Sequence, residues 1–306
     1  RRPVILWGIG AFALASVGCA LSQTIGQLVF FRALQGMSAG AGMVVSRAII
    51  RDMFPPADAQ RVMSQVTIYF GVAPAVAPMV GGWLFVSADW HAIFWFLALH
   101  TTQRQPVHVG PLLRGYVQMM RNPHFMMLAL ASGIPFNGMF LYVLSAPVWL
   151  GDILKLQPTQ FFWFFCMSVS GIMLGAWLSG RLAGRIKPKH QIRRGFVIML
   201  GTSVVNVLMN LLGDPHPFWA MLTVSVFSFG WALMVPVVTL MVLDLVPERR
   251  GMASSVQAFI GSMANGLVAG LIAPLVMHSA LGLALTSIGM LGIGVLAWIW
   301  VKPRVT

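Results

Sequence analysis

The 306-residue chain is 58% hydrophobic and 9% charged, with a mean hydropathy of +0.82. Soluble domains carry about a quarter charged residues, so these values exclude a water-soluble fold and indicate a polytopic membrane protein. The net charge of +13 does not mark a nucleic-acid binder: with the apolar runs threaded alternately through a bilayer and the first leaving the cytoplasm, every Lys and Arg except Arg32 and Lys155 falls on the cytoplasmic side, as the positive-inside rule requires.

Apolar runs near the ~20 residues that a ~30 Å hydrocarbon core demands predict spans over 3–21, 25–49, 62–86, 125–149, 161–183, 196–212, 217–243, 252–276 and 281–301. The first opens on "RRPVIL", without the profile of a cleavable signal peptide. The second carries "RALQGMSAGAG", in which Arg32 lies about 10 Å inside the span. A guanidinium there is a functional candidate, with Gln35 and Gly36 beside it, unless it snorkels to the outer interface. The cytoplasmic turn "SRAIIRDMFPPADAQR" offers Asp52 as a partner for Arg51 or for the Arg1–Arg2 pair.

The third span contains "GVAPAVAPMVGGWL". Ala73, Ala77 and Gly81 recur every four residues on one face, beside Pro74 and Pro78 and followed by Gly82. Within lipid, helices associate through close packing, so small residues mark contact faces, and prolines permit a bend. Such a helix can rock against a neighbour, although generic small-residue packing produces the same pattern.

The next run, "WHAIFWFLAL" from Trp90 to Leu99, is too short. At ~1.5 Å per residue it reaches about half of the hydrocarbon core. If it fails to cross, every later segment inverts and the basic stretch "GRLAGRIKPKHQIRRG" lands outside. The charge pattern therefore belongs to a sequence whose run crossed here, and part of that span is expected to have been lost. An interfacial or re-entrant helix is the alternative. Residues 100–124 read as a cytoplasmic linker, in which Leu112, Leu113, Tyr116, Met119 and Met120 share the apolar face of a membrane-surface helix.

In the second half, "RRGFVI" at 193–198 repeats the opening "RRPVIL". Two spans precede the second copy, so two are expected before Arg1, which makes two parallel six-helix halves, the architecture of the major facilitator fold. Cys19 and Cys166 lie in apolar spans and imply no disulfide framework. The seven histidines fall in loops or at span ends, so neither a metal site nor a cofactor is expected. No span carries a paired acid–base constellation, which argues against an enzyme.

These motifs together resemble one family. Residues 73–82 are similar to the antiporter motif G-x-x-x-G-P-x-x-G-G, with Ala73 and Ala77 replacing its first two glycines. "RALQG" resembles the R-x-x-Q-G motif of drug:proton antiporters, and "RRP" the end of a loop motif whose second-half copy is "GRLAGRIKPKH". "FLYVLSAPVWL", "LDLVPERRGMASSVQAFIG" and "ADWHAIFWFLAL" extend the likeness along the chain. The chain is identified as a member of the Bcr/CflA-type drug-efflux branch of the major facilitator superfamily, with an all-α polytopic fold comprising helices 3–12 of twelve and a truncated sixth.

The resemblance implies an N-terminal remnant over 1–99, a linker over 100–124 and a C-terminal six-helix bundle over 125–306. It further implies a monomeric multidrug exporter in a bacterial inner membrane that exchanges small hydrophobic or cationic drug-like substrates for protons. Substrate is then expected near the midplane between the halves, with Gln65, Asn137, Tyr142, Gln257 and Asn265 facing it and Phe136 and Phe229 as aromatic wall. Asp52, Arg181, Arg185, Asp244 and Arg249 are the candidates for a cytoplasmic gate, Asp244 pairing with Arg249 or Arg250. None of the seven acidic residues lies mid-membrane, so the coupling carboxylate is expected on a helix outside this chain. An importer on the same fold and a non-transporting membrane fragment are the competing readings.

Overall fold

A computed structural model describes residues 2–69, 89–99, 119–213 and 216–301, with the side chains of 2–6 and 40–45 outside that set. The 73–82 motif and the surface-helix expectation over 112–118 lie outside the described residues. Among the described residues the chain forms helices and turns and no strand. The helices are α1 (Arg2–Ala20), α2 (Ile25–Met53), α3 (56–69), α4 (Trp90–Leu99), α5 (Pro123–Leu144), α6 (Phe161–Leu182), α7 (Pro188–Leu212), α8 (Pro217–Asp244), α9 (Arg250–Leu267) and α10 (Ala280–Val301). A π-helical stretch over Pro147–Ile153 extends α5, and another over Val268–Ile272 carries α9 on into Ala273–Val276. Among the described residues six helical segments, all from α5 onward, are long and apolar enough to cross a bilayer.

Local chemistry sets the helix ends. Thr24 accepts a hydrogen bond from the Gln27 amide at the start of α2, and Asn122 accepts from His124 and Phe125 at the start of α5. Each satisfies backbone donors that the first helical turn leaves open. Proline occupies the opening turn of α5, α7 and α8, where its missing N–H costs nothing.

Helix α8 is the hub. It packs against α5, α6, α7 and α9, and its span is the most enclosed of the six. Lipid supplies no hydrophobic drive between helices, so backbone proximity must be bought with small side chains. Gly171 and Gly175 of α6 lie against the carbonyls of Ser225 and Phe229, and Gly195 of α7 lies against that of Gly230. A Cβ at any of these three would collide with α8 backbone that cannot step aside.

The ends of the bundle can be traced through contacts. Arg51 at the end of α2 bonds Asp244 at the end of α8. His124 at the start of α5 stacks near Trp300 at the end of α10, with ring centroids 5.1 Å apart. The basic clusters around Arg51, Arg181–Arg194 and Arg249–Arg250 thereby share one end, the cytoplasmic end of the threaded sequence. Helix α4 starts at the opposite end, where Trp90 and Phe94 pack with Cys19 and Ala20 near the close of α1. Its 10 residues descend only about 15 Å.

Candidate functional site

A cavity of about 240 Å³ opens between α2 and α3 on one side and α5, α8 and α9 on the other. Its wall is largely apolar, with Met63, Val66, Phe136, Trp231 and Val235, and is interrupted by Arg47, Thr67, Ser132, Thr239, Gln257 and Asn265. Two features make room for it. Gly133 of α5 meets Gly261 of α9, where an added Cβ would lie 3.5 Å from the facing Cα. Pro135 and Pro236 stand inside α5 and α8, and each removes a backbone hydrogen bond and bends its helix.

The cavity floor is a small polar lattice. Trp231 donates through Nε1 to the Ser132 carbonyl at 3.1 Å, and its ring lies 4.9 Å from that of Phe136. Gln257 donates through Nε2 to Ser132 Oγ at 3.0 Å and to Thr239 Oγ1 at 3.4 Å. Gln257 is nine-tenths buried, and its Oε1 has no hydrogen-bond partner; Asn265 Oδ1 is likewise unpartnered. A buried acceptor without a donor costs about 1–3 kcal/mol, so both oxygens are primed for a donor from a bound molecule or water.

Beneath the cavity α2 is tied to α8 and α9 by ion pairs. Arg51 reaches Asp244 through two bonds, Nε–Oδ1 at 2.7 Å and NH2–Oδ2 at 3.0 Å. Arg250 at the head of α9 reaches Asp52 at 2.7 Å and lies 3.6 Å from Asp244. The sequence expectation placed Asp52 with Arg51 or with Arg1–Arg2, and Asp244 with Arg249 or Arg250. Neighbouring α2 residues each reach across the interface, Arg51 to Asp244 and Asp52 to Arg250, and the expected Asp244–Arg250 pair is present at 3.6 Å. The side chains of Arg1 and Arg2 lie outside the described residues. Arg181 stacks over the Trp177 ring at 4.3 Å and, with Arg185, lines a separate basic groove beside Arg61.

A second, uncharged tie lies beside the first. Gln60 of α3 donates to Ser179 O at 2.9 Å and to Gln191 Oε1 at 3.0 Å. Gln191 in turn donates to Ser179 Oγ and to Leu233 O, both at 2.8 Å. All three side chains are buried, so four helices, α3, α6, α7 and α8, meet on one hydrogen-bonded knot.

The other expected residues scatter. Phe136, Gln257 and Asn265 line the cavity. Gln65 is exposed and lines the basic groove instead, because it stands about 200° around the helix from Met63. Phe229 is turned from Trp231 by the same two-residue step and lines a groove with α6 and α7. Tyr142 is buried deeper in the C-terminal half, where it accepts a hydrogen bond from Asn206 at 2.7 Å, and Asn137 donates to Gly133 O within its own helix. Arg32 is exposed and donates to Gln35 at 2.8 Å; Gln35 is buried and donates on to Ser16 of α1 at 2.7 Å. No described atom stands within 4 Å of a Cβ placed on Gly36. Sequence reasoning missed Arg47, Trp231, Ser132 and Thr239; helical phase counted back four residues from Phe136 reaches Ser132 on the same face, but it could not have found the others across helices.

The Major Facilitator Superfamily model matches residues 1–102 and 99–269. The Bicyclomycin resistance protein homolog of Haemophilus influenzae is 25% identical over 325 aligned residues, covering 99% of this chain and 80% of the relative. Multidrug resistance protein D of Escherichia coli is 27% identical over 331, covering 100% of this chain and 80% of its own length. Both alignments exceed the 306 residues of this chain, so each relative carries extra residues inside the matched region. Among solved structures, the proton:xylose symporter XylE superposes with a TM-score of 0.75 at 16% identity, over 100% of this chain and 80% of that one.

Proposed function

Because the chain belongs to the Major Facilitator Superfamily, a family of membrane transporters rather than enzymes, we propose that it is the greater part of a drug exporter working by alternating access in a bacterial inner membrane. Residues 1–99 act as one rocking half, 125–306 as the other, and 100–124 as the linker. One observation carries this reading: a mostly apolar cavity between the halves sits directly above ion pairs that join them. Breaking Arg51–Asp244 and Asp52–Arg250 opens the cavity to the cytoplasm; remaking them closes it. The names of the bicyclomycin-resistance and multidrug-resistance relatives support small drug-like substrates; a monomer working alone is part of the proposal.

Proton antiport is part of the proposal. Among the described residues none of those lining the cavity is acidic, and the Arg32–Gln35–Ser16 chain braces α2 against α1. The test is bicyclomycin susceptibility of a sensitive bacterium expressing the chain, alone and completed with the first two helices of a relative. Resistance that disappears when nigericin collapses the pH gradient supports the reading. Unchanged susceptibility in the completed protein, with the protein present in the membrane, overturns it.

A second reading is favoured by a specific observation. The family match restarts at residue 99, where the 10-residue α4 ends. On that reading this chain alone is a non-transporting form, and lengthening α4 to span the bilayer restores transport.

A further inference from the structure

The basic groove between α3 and α6 has a volume of about 390 Å³. Its described lining holds three guanidinium groups, Arg61 of α3 with Arg181 and Arg185 at and just beyond the end of α6, and no carboxylate. Arg181 lies 4.3 Å over the Trp177 ring, which takes the flat face of the guanidinium and leaves its N–H edge for an anion. Asp58 meets Arg61 at 2.7 Å with both side chains about half exposed, so it offsets one of the three charges only in part. Asp244, which borders a neighbouring pocket together with Arg185, is bonded to Arg51. Residues 70–88 and 100–118, outside the described set, contain no acidic side chain, so neither segment brings a counter-charge.

The groove changes character along its length. Further into α6, Leu174 and Trp177 stand on the face that carries Arg181, 57% and 48% exposed, and Ile68 lines the α3 side. A tryptophan one turn inside a basic helix end is what a membrane interface favours. Gly180 lets the two helices close on one another, since an added Cβ would lie 3.3 Å from Ser64 Cβ. A soluble phosphate would use the arginines alone, whereas an amphiphilic phosphate uses the arginines and the apolar track together.

We propose that this groove binds an anionic phospholipid, its phosphodiester held among Arg61, Arg181 and Arg185 and its acyl chains lying along Trp177, Leu174 and Ile68. Basic pockets between membrane helices suit such headgroups. The lipid thereby ties α3 to α6 beside the glutamine knot. The site is separate from the transport cavity and stands whether or not the chain exports drugs.

Quenching of tryptophan fluorescence by brominated lipids tests it on the full, detergent-solubilised chain. Brominated phosphatidylglycerol is expected to quench at about tenfold lower concentration than brominated phosphatidylcholine with the same acyl chains. Trp177→Phe removes the lipid-selective part of the signal. Arg181→Gln with Arg185→Gln brings the two lipids to within about twofold of one another. Arg181→Lys with Arg185→Lys keeps most of the preference, and Asp58→Asn, which releases Arg61, increases it. Arg193→Gln with Arg194→Gln, on α7 and in a different groove, leaves it unchanged. If the paired glutamine variant fails to fold, Arg185→Gln alone and Asp58→Asn, at exposed side chains, carry the test in opposite directions. Equal quenching by the two lipids overturns the site. So does a preference that the Arg193 and Arg194 variant removes as fully, which would assign it to the overall charge of that end. A preference unmoved by Trp177→Phe places the lipid elsewhere and likewise overturns it. Displacement of the brominated lipid by excess glycerol 3-phosphate assigns the groove to soluble phosphate esters and overturns the lipid.

Discussion

Arg51 and Asp244, 193 residues apart in sequence, meet through two hydrogen bonds of 2.7 and 3.0 Å across the seam between the halves. A two-bonded guanidinium–carboxylate pair is directional as well as charged, and the arginine is largely enclosed while the aspartate is partly open to water. Pairs of this exposure contribute about 1 kcal/mol or less, too little to hold a fold but enough to move a balanced gate about fivefold. We expect Arg51→Ala or Asp244→Ala to raise the labelling rate of a cysteine introduced at Ser132 from the cytoplasmic side by up to about fivefold. The exchange Arg51→Asp with Asp244→Arg brings it back toward the wild-type rate. Equal labelling in all four proteins removes the pair from the gate.

The glutamine knot makes a different prediction, because it is buried. Replacing Gln191 by Leu removes the side-chain bonds to Leu233 O and Ser179 Oγ and one of those made by Gln60 Nε2, which keeps Ser179 O, at a cost of about 1–3 kcal/mol. Gln60→Leu alone costs a similar amount, and the double variant less than the two together, with a coupling of about 0.5–3 kcal/mol. Thermal unfolding in detergent, followed by light scattering, reads both quantities. Strict additivity would show that the two glutamines act through separate neighbours.

The helical class and the family were legible in the sequence because each rests on a one-dimensional signal: apolar run length and local motifs. Pairings across the seam were not. Asp52 and Arg51 are adjacent, which suggests a local pair, yet side chains at successive helical positions diverge by about 100°, and each finds its partner on the opposite half. Cavity membership failed for a related reason. Gln65 and Phe229 are the right residue types on the right helices, but the side of a helix that faces the seam depends on packing against α8, which is set by Gly171, Gly175 and Gly195. Phe136 and Gln257 survived because the small residues beside them, Gly133 and Gly261, mark the contact between their helices.

Those glycines carry the third prediction. A Cβ on Gly175 would press on the Phe229 carbonyl and lie 3.0 Å from the Ala232 Cβ. Backbone cannot rotate away as a side chain can, so Gly175→Val forces α6 off α8 at about 1–3 kcal/mol or more. Gly201→Val on α7, where nothing lies within 4 Å, serves as the control for helix propensity. A loss of folded monomer on size exclusion is expected for the first and not for the second; matched behaviour would mean that α6 has room the contacts do not show.

The short helix α4 depends on Asp89. Its Oδ2 lies 3.0 Å from His91 Nδ1, and its Oδ1 accepts the backbone amides of His91 and Ala92 at 2.8 and 3.2 Å. The bond to the His91 side chain, joined by those amides, holds the carboxyl below its ordinary value of 3.8. A depressed carboxylate stabilises the folded helix fully above the unfolded value and loses that contribution as pH falls through the lower folded one. Amide exchange of residues 91–95, followed by mass spectrometry, should therefore stay slow at neutral pH and accelerate only below about pH 3.8. Asparagine caps helices as well as aspartate does, so Asp89→Asn keeps the protection at neutral pH and flattens its acid dependence. Asp89→Ala loses protection at every pH. An acid transition that persists unchanged in Asp89→Asn would assign it to another group and leave α4 held by its packing on Cys19 and Ala20 alone.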